Sequence, residues 1–162
     1  MRIEIEKKKN LSGKGLKFAL VVSRFNSAIT QKLREGAVRA LEECGVGPKQ
    51  VVQVEVPGAF EIPQAAAAVI RNRRVDGVIC LGAVIRGDTP HFEYISAETA
   101  RGIMNVGIST GIPCIFGVLT VDHMRQANER TTGRNNKGRE AALAAVEMAV
   151  LIKQVRKSKA RS

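Results

Sequence analysis

The sequence predicts an α/β protein, a three-layer α/β/α sandwich in which helices cover both faces of a central parallel sheet. Three observations carry that prediction. Short apolar runs at 16–22, 51–56, 78–85 and 114–121 read as strands, several apolar enough to be buried on both faces. Between them lie longer stretches whose apolar residues recur at helical spacing. Aromatic residues make up only 4% of the chain and Trp is absent, so the core must rest on Val, Ile, Leu and Ala, which suit sheet and helix layers. Strands separated by helices are joined by crossovers, and crossovers give parallel pairing.

The elements follow in order. Arg2–Glu6 alternates polar and apolar residues, the pattern of an edge strand with one wet face, and residues 1–12 are read as that strand and a connector. The strand Leu16–Val22 ends in a loop, Ser23–Ser27, and loops at strand carboxyl ends are where open α/β sheets meet ligands, which makes Phe25 and Asn26 site candidates. Helical spacing from Ile29 to Cys44 predicts a helix that Gly45 and Pro48 stop. Val51–Val56 is a β-branched strand, after which Pro57-Gly58-Ala59-Phe60-Glu61 turns into a helix with Pro63 near its start. Phe60 reads as a core plug or a site aromatic, and Glu61 as a first-turn charge or a site carboxylate; spacing alone favours the first of each slightly.

The stretch Val78–Ser96 organises the rest. A buried strand ends near Ile85, and Arg86-Gly87-Asp88-Thr89-Pro90 follows, with Thr89 able to cap a helix and Pro90 suited to its first position. The free amides and positive dipole end of that helix favour an anion beyond the strand's end. His91, one of two histidines in the chain, stands next to Pro90. Gly111 and Pro113 close the helix near Thr110. After the strand Cys114–Val121, Asp122 is a fair cap for a short helix at 124–130, and a polar break at 131–136 precedes a long helix from Lys137 to Val155. There Ala142, Ala145, Val146, Ala149 and Ile152 form one stripe while Leu143, Val150 and Leu151 make other faces apolar, which predicts a subunit interface.

Composition narrows the function. At 162 residues the chain is read as one domain, with 156–162 a basic tail. A net charge of +11 admits anionic substrates or nucleic acid. No aromatic interleaves with the tail's charges to stack a base, so it reads as a solvated helix end, with no nucleic-acid partner expected. Cys44, Cys80 and Cys114 lie in or beside apolar segments, which predicts reduced thiols and a cytoplasmic setting. The first ten residues lack the apolar core of a secretory signal, and Glu147 interrupts the longest late apolar stretch, so neither export nor a membrane span is expected. Two distant histidines and scattered cysteines do not make a metal set, and there is no phosphate-binding Walker loop or dinucleotide fingerprint, so no metal or cofactor is expected.

The strand-end loops together present Phe25, Asn26, Ala59, Phe60, Glu61, Gly87, Asp88, Thr89 and His91, with Arg130 and Lys137 following the last strand. An aromatic face stacks a heterocycle, amide and carboxylate groups hold hydroxyls, guanidinium grips phosphate, and imidazole moves protons near neutral pH. The segments Ser23-Arg24-Phe25-Asn26, VPGAFEIP at 56–63, LGAVIRGDTPHFEY at 81–94, Phe116-Gly117-Val118-Leu119-Thr120 and Asn136-Lys137-Gly138 resemble the lumazine synthases over nearly the whole chain.

The resemblance implies a flavodoxin-like fold and condensation of 5-amino-6-(D-ribitylamino)uracil with 3,4-dihydroxy-2-butanone 4-phosphate to 6,7-dimethyl-8-ribityllumazine, phosphate and water. It implies that Phe25 stacks on the pyrimidine, that Asn26, Ala59, Phe60 and Glu61 hold the ribityl chain, and that Val84, Ile85 and Phe116 line the ring site. Gly87, Asp88 and Thr89 would bind phosphate through amides with Arg130 and Lys137 adding charge, and His91 would transfer protons. It further implies pentamers, twelve of which close into a shell in some members, with sites between neighbours, the strand Arg2–Glu6 joining an adjacent sheet, and riboflavin synthase as a partner. The short break at 131–136 favours the shell, while Asn135 departs from the family's usual Gly. Competing readings are an archaeal-type riboflavin synthase and a shell protein without catalysis that holds cargo or nucleic acid. Loss of His91, Arg130 or Lys137 would mark the second, and all three are present.

Overall fold

A computed structural model describes residues 11–159. The chain runs β1 (Phe18–Ser23), α1 (Ser27–Glu43), β2 (Val51–Val56), α2 (Ile62–Asn72), β3 (Gly77–Ile85), α3 (His91–Thr110), β4 (Cys114–Val121), α4 (Met124–Glu129) and α5 (Lys137–Lys159). All four strands are parallel, in the order β2-β1-β3-β4. The expected edge strand at Arg2–Glu6 lies outside the described residues.

Alternation along the strands builds the two layers. Phe18, Leu20 and Val22 of β1 point with Ile79, Leu81 and Ala83 of β3 into a core closed by α1 and α5. Ala19 and Val21 point with Val78 and Cys80 the other way, against Ile62, Ala66 and Val69 of α2 and Ile103 of α3. All six residues of β1 are buried, as two-sided packing requires. The apolar side chains of the core thus account for both the sheet and the faces its helices cover.

The final helix puts part of the apolar surface read in its sequence to use within the subunit. Ala142, Ala145 and Val146 are fully buried, and Leu143 and Val150 pack against the same core, so most of its extra apolar surface is used within the subunit. An unpartnered apolar face also lies on α3, where Tyr94, Met104 and Ile108 stand exposed, and α5 itself leaves Met148 and Val155 exposed. Helix starts also shift. Pro90 is the residue flanking α3, which begins at His91 without a side-chain cap. Asp122 caps nothing: its carboxylate is drawn to Arg86, and the amides of Asp122 and His123 donate instead to the Gln126 side chain at 2.8 and 3.4 Å.

The sequence Asn136-Lys137-Gly138 fixes how α5 meets α1. Asn136 is buried, donates at 2.9 Å to the carbonyls of Lys32 and Thr131, and accepts from the amide of Arg139 at 3.1 Å. A Cβ on Gly138 would land on the Leu33 backbone, so only glycine lets the two helices approach this closely.

Candidate active site

The strand order reverses direction between β1 and β3: β2 lies to one side of β1 and β3 to the other. A crevice at the carboxyl ends of those two strands is where such sheets take ligands. Asn26 spans it. With φ of 58° it sits in the left-handed region that Asn tolerates, at the start of α1, and its side-chain nitrogen donates to the Ala83 carbonyl at 2.9 Å. That carbonyl lies beyond the last β1–β3 pair, Val22 with Leu81, so the side chain supplies a partner the ladder no longer gives.

Beside this stitch opens a cavity of about 590 Å³. Phe25, Ala59, Phe60, Glu61, Val84 and Ile85 line it, and Gly87, Thr89 and His91 come from the turn that opens α3. Phe25 is 71% exposed and Phe60 55% exposed, which overturns the reading of Phe60 as a core plug. Aromatic rings left that bare beside a cleft offer flat apolar faces on which a planar ligand can stack. Glu61 turns one carboxylate oxygen onto the amide of Gly58 at 2.9 Å, which fixes the loop that presents Phe60. No hydrogen bond among the described residues occupies the amides of Gly87, Asp88 or Thr89, and they precede a helix start. Asp88 is exposed and does not line the cavity.

The turn is held by Arg86. Its Nε donates to Asp122 at 2.8 Å, its Nη1 pairs with Glu93 in the first turn of α3, and its guanidinium lies 4.2 Å from the centre of the Phe92 ring. Hydrogen bonds from Arg86 lower the Glu93 carboxyl below its ordinary value, and those to Asp122 and then Glu93 raise the Arg86 guanidinium. One cation therefore ties β3, α3 and the loop after β4 together, and the charges at the turn are spent on each other. Phe92 and Ile95 also line the cavity, at a spacing of three along α3, a signal that the sequence reading passed over.

Phe116, Arg130 and Lys137 are elsewhere. They line a second cavity, of about 470 Å³, between β4 and the start of α5. Arg130 donates to the Gln126 carbonyl at 3.0 Å, Lys137 Nζ pairs with Glu140 at 2.6 Å, and the Lys137 amide donates to the Arg130 carbonyl at 2.8 Å, which keeps the two cations together. No residue is common to the two cavities.

The cysteines take no visible part in either. Burial pushes the Cys80 thiol well up and the Cys114 thiol up to about 11, so both stay protonated near neutral pH. Among the described residues no group of three His, Cys, Asp or Glu could hold a metal ion, and no helix is long and apolar enough to cross a membrane.

A family model described as 6,7-dimethyl-8-ribityllumazine synthase matches residues 15–153, which include both cavities. The chain belongs to this family. It is 50% identical over 146 residues to the 6,7-dimethyl-8-ribityllumazine synthase of Syntrophus aciditrophicus (strain SB), a match spanning 90% of this chain and 95% of that one. The lumazine synthase family thus accounts for the four-stranded parallel sheet with its flanking helices, a flavodoxin-like arrangement. Membership sets aside the riboflavin synthase alternative and makes the chain an enzyme of riboflavin biosynthesis.

Proposed function

We propose that this chain condenses 5-amino-6-(D-ribitylamino)uracil with 3,4-dihydroxy-2-butanone 4-phosphate in a site made by two copies of itself. The observation that carries the shared site is the split between the cavities: the stacking faces and the proton carrier line one, and the cations line the other. Neither is sufficient alone for a planar heterocycle and a phosphate ester. A ring of like-oriented subunits brings the first cavity of one copy to the second cavity of the next, because head-to-tail contacts repeat until they close.

In that site Phe25 covers the pyrimidine, and Phe60 and Glu61 hold the ribityl chain, with Val84 and Ile85 beneath the ring and the neighbour's Phe116 at its edge. The amides of Gly87, Asp88 and Thr89 take the phosphate, helped by the dipole end of α3 and by Arg130 and Lys137 of the adjacent copy. The substrate amine attacks the ketone and water leaves, giving an imine. Loss of the C3 proton then expels inorganic phosphate from C4, the enol left behind takes up a proton to become a methyl ketone, and attack by the second ring-bound nitrogen on this new carbonyl closes the ring with loss of a second water. The residues mainly align the partners, hold the departing anion and move protons, the last falling to His91. Asn26 acts from beneath by keeping the crevice open at a fixed width.

The ring is a pentamer in which the exposed face of α3, with Tyr94, Met104 and Ile108, is covered by neighbours. The short break at 131–136 favours closure of twelve pentamers into a shell. Three unpaired cysteines support a reducing, cytoplasmic setting.

The test is subunit mixing with lumazine fluorescence as the readout. With the phosphate sugar held well below its KM, His91→Ala and Arg130→Ala are each expected to lose most of their activity as uniform assemblies. Co-assembled one to one, about one contact in four joins an intact His91 to a neighbour's intact Arg130, and activity returns to about that fraction. Mixed assemblies no more active than the average of the two parents would sink the shared site, while a parental chain that forms no lumazine from the two substrates would sink the reaction itself.

A further inference from the structure

Among the described side chains, the excess positive charge is gathered at one pole. Because every strand runs the same way, and the register sets Phe18 beside Val51 and Gly77, and Val78 beside Cys114, the residues just ahead of the strands share one edge of the sheet. That edge is opposite the first cavity. Lys14, Lys17 and Lys49 lie there ahead of β1 and β2, and Arg71, Arg73 and Arg74 end α2 ahead of β3. Helix α5 returns to the same edge with Lys153, Arg156 and Lys157: Lys153 Nζ is 4.0 Å from Asp76, and Arg156 donates to the Gly111 carbonyl at 2.9 Å.

Against these nine cations stand three carboxylates, Glu42, Glu43 and Asp76. Two of the three are engaged. Asp76 accepts the Lys17 amide at 2.8 Å, and Arg139, from outside the pole, holds Glu43 with bonds of 2.6 and 2.8 Å. The remaining described side chains carry eleven basic and ten acidic groups, so the rest of the molecule is close to neutral. Lys14, Lys153 and Lys157 also line one groove of about 200 Å³ that contains no carboxylate. Crowding like charges this way raises the energy of the folded chain, and a bound polyanion relieves it.

We infer that this pole binds the phosphate backbone of nucleic acid without regard to sequence. Among the described residues no exposed aromatic stands there, so neither base stacking nor an aromatic anchor in a lipid surface is offered. What is offered is a spread of charges, four of them guanidinium groups suited to paired bonds with phosphate oxygens. The sequence reading had treated the tail as solvated because it judged the tail by itself. The fold adds the residues ahead of three strands to it.

The experiment titrates the full chain against two fluorescein-labelled duplexes of about 20 base pairs and unrelated sequence, read by anisotropy at about 50 to 200 mM salt. Both duplexes should bind alike, with log K falling against log salt at a slope of about −5. Arg73→Glu with Arg74→Glu, and Lys153→Glu with Lys157→Glu, should each weaken binding at least tenfold and flatten the slope by about 2. The same change in charge at Lys32→Glu with Arg125→Glu, far from the pole, should stay within about twofold, and all three variants should form lumazine at the parental rate. Should a glutamate variant fail to fold, Lys153→Gln with Lys157→Gln carries the same test at half the charge change. Equal losses from the pole and control variants would overturn the assignment, as would duplexes that fail to bind at 150 mM salt under conditions where polyglutamate or anionic vesicles do.

Discussion

The two cavities are built in different ways. The first rests on strand-end loops spelled by contiguous motifs, and every group in it comes from a segment of a few residues: Phe25 from one loop, Ala59 to Glu61 from another, Gly87 to His91 from a third. Its interior is largely apolar, and the guanidinium that holds its turn, on Arg86, is committed to Asp122 and Glu93. The second rests on how α5 docks against α1 and β4, and Arg130 and Lys137 come together only because the chain folds back between them. Local loops thus shape the apolar half, whereas long-range packing sets the charged half. Substitutions should separate the two.

The largest effect is expected from Gly138→Ala. The added Cβ meets the Leu33 backbone, which cannot move without displacing α1, so stability should fall by about 3 kcal/mol. Thermal unfolding gives the loss. If α5 is the frame of the charged half, the folded fraction should also bind the phosphate sugar weakly while still binding the pyrimidine; a stable variant with both affinities intact would break the contrast.

His91→Ala comes next. General acid–base groups contribute on the order of a hundredfold or more, so kcat should drop about that far with little change in either KM, because the amides of the turn remain. Arg130→Ala and Phe25→Ala should then divide cleanly. The first is expected to raise KM for the phosphate sugar about tenfold, from loss of a charge-assisted bond, and the second to raise KM for the pyrimidine by a similar factor, from loss of a stacking face. Steady-state kinetics with each substrate varied in turn would show it, and a crossed or common effect would mean the two cavities do not divide the substrates.

How much of this the sequence disclosed follows the same contrast. The strands, the order of helices and the first cavity are legible because apolar runs and turn residues act over a few positions. Phe25 and His91 could be named because they follow strand ends. Asn26 was picked for the right loop, yet its bond to Ala83 depends on which strand lies beside β1, and nothing within the loop states the strand order. The Arg86 clamp was missed for a similar reason: Asp122 lies 36 residues away, and at a helix start Asp reads first as a cap. The sequence shows Asn136 within a short motif, but its burial between α1 and α5 shows only when the helices are in place. Spacing alone favours a core place for Phe60, because an apolar ring gives no local sign of whether a layer covers it, whereas the motif around it points to the site.

The smallest effect concerns acid. Arg86 lowers Glu93, and Arg139 lowers Glu43, each first through a side-chain hydrogen bond. A carboxyl depressed in the folded state binds fewer protons there than in the unfolded chain, so its stabilisation is present above the ordinary value of 4.5 and is lost as pH falls through the lower folded value. Both carboxylates are more than half exposed, so water and salt screen them and each loss should be modest. The two nevertheless act on different halves, because Glu93 steadies the turn of the first cavity and Glu43 ties α1 to α5. Glu93→Gln should therefore flatten the fall of Tm below pH 4.5 and raise KM for the phosphate sugar slightly at neutral pH, since the turn is then less firmly held. Glu43→Gln should flatten the same curve without touching the turn, and its KM for the pyrimidine should stay at the parental value. Melting curves at intervals down to about pH 3, paired with kinetics at pH 7, separate the cases. Were Glu93→Gln to leave both readouts unchanged, Arg86 would be holding the turn through Asp122 and Phe92 alone.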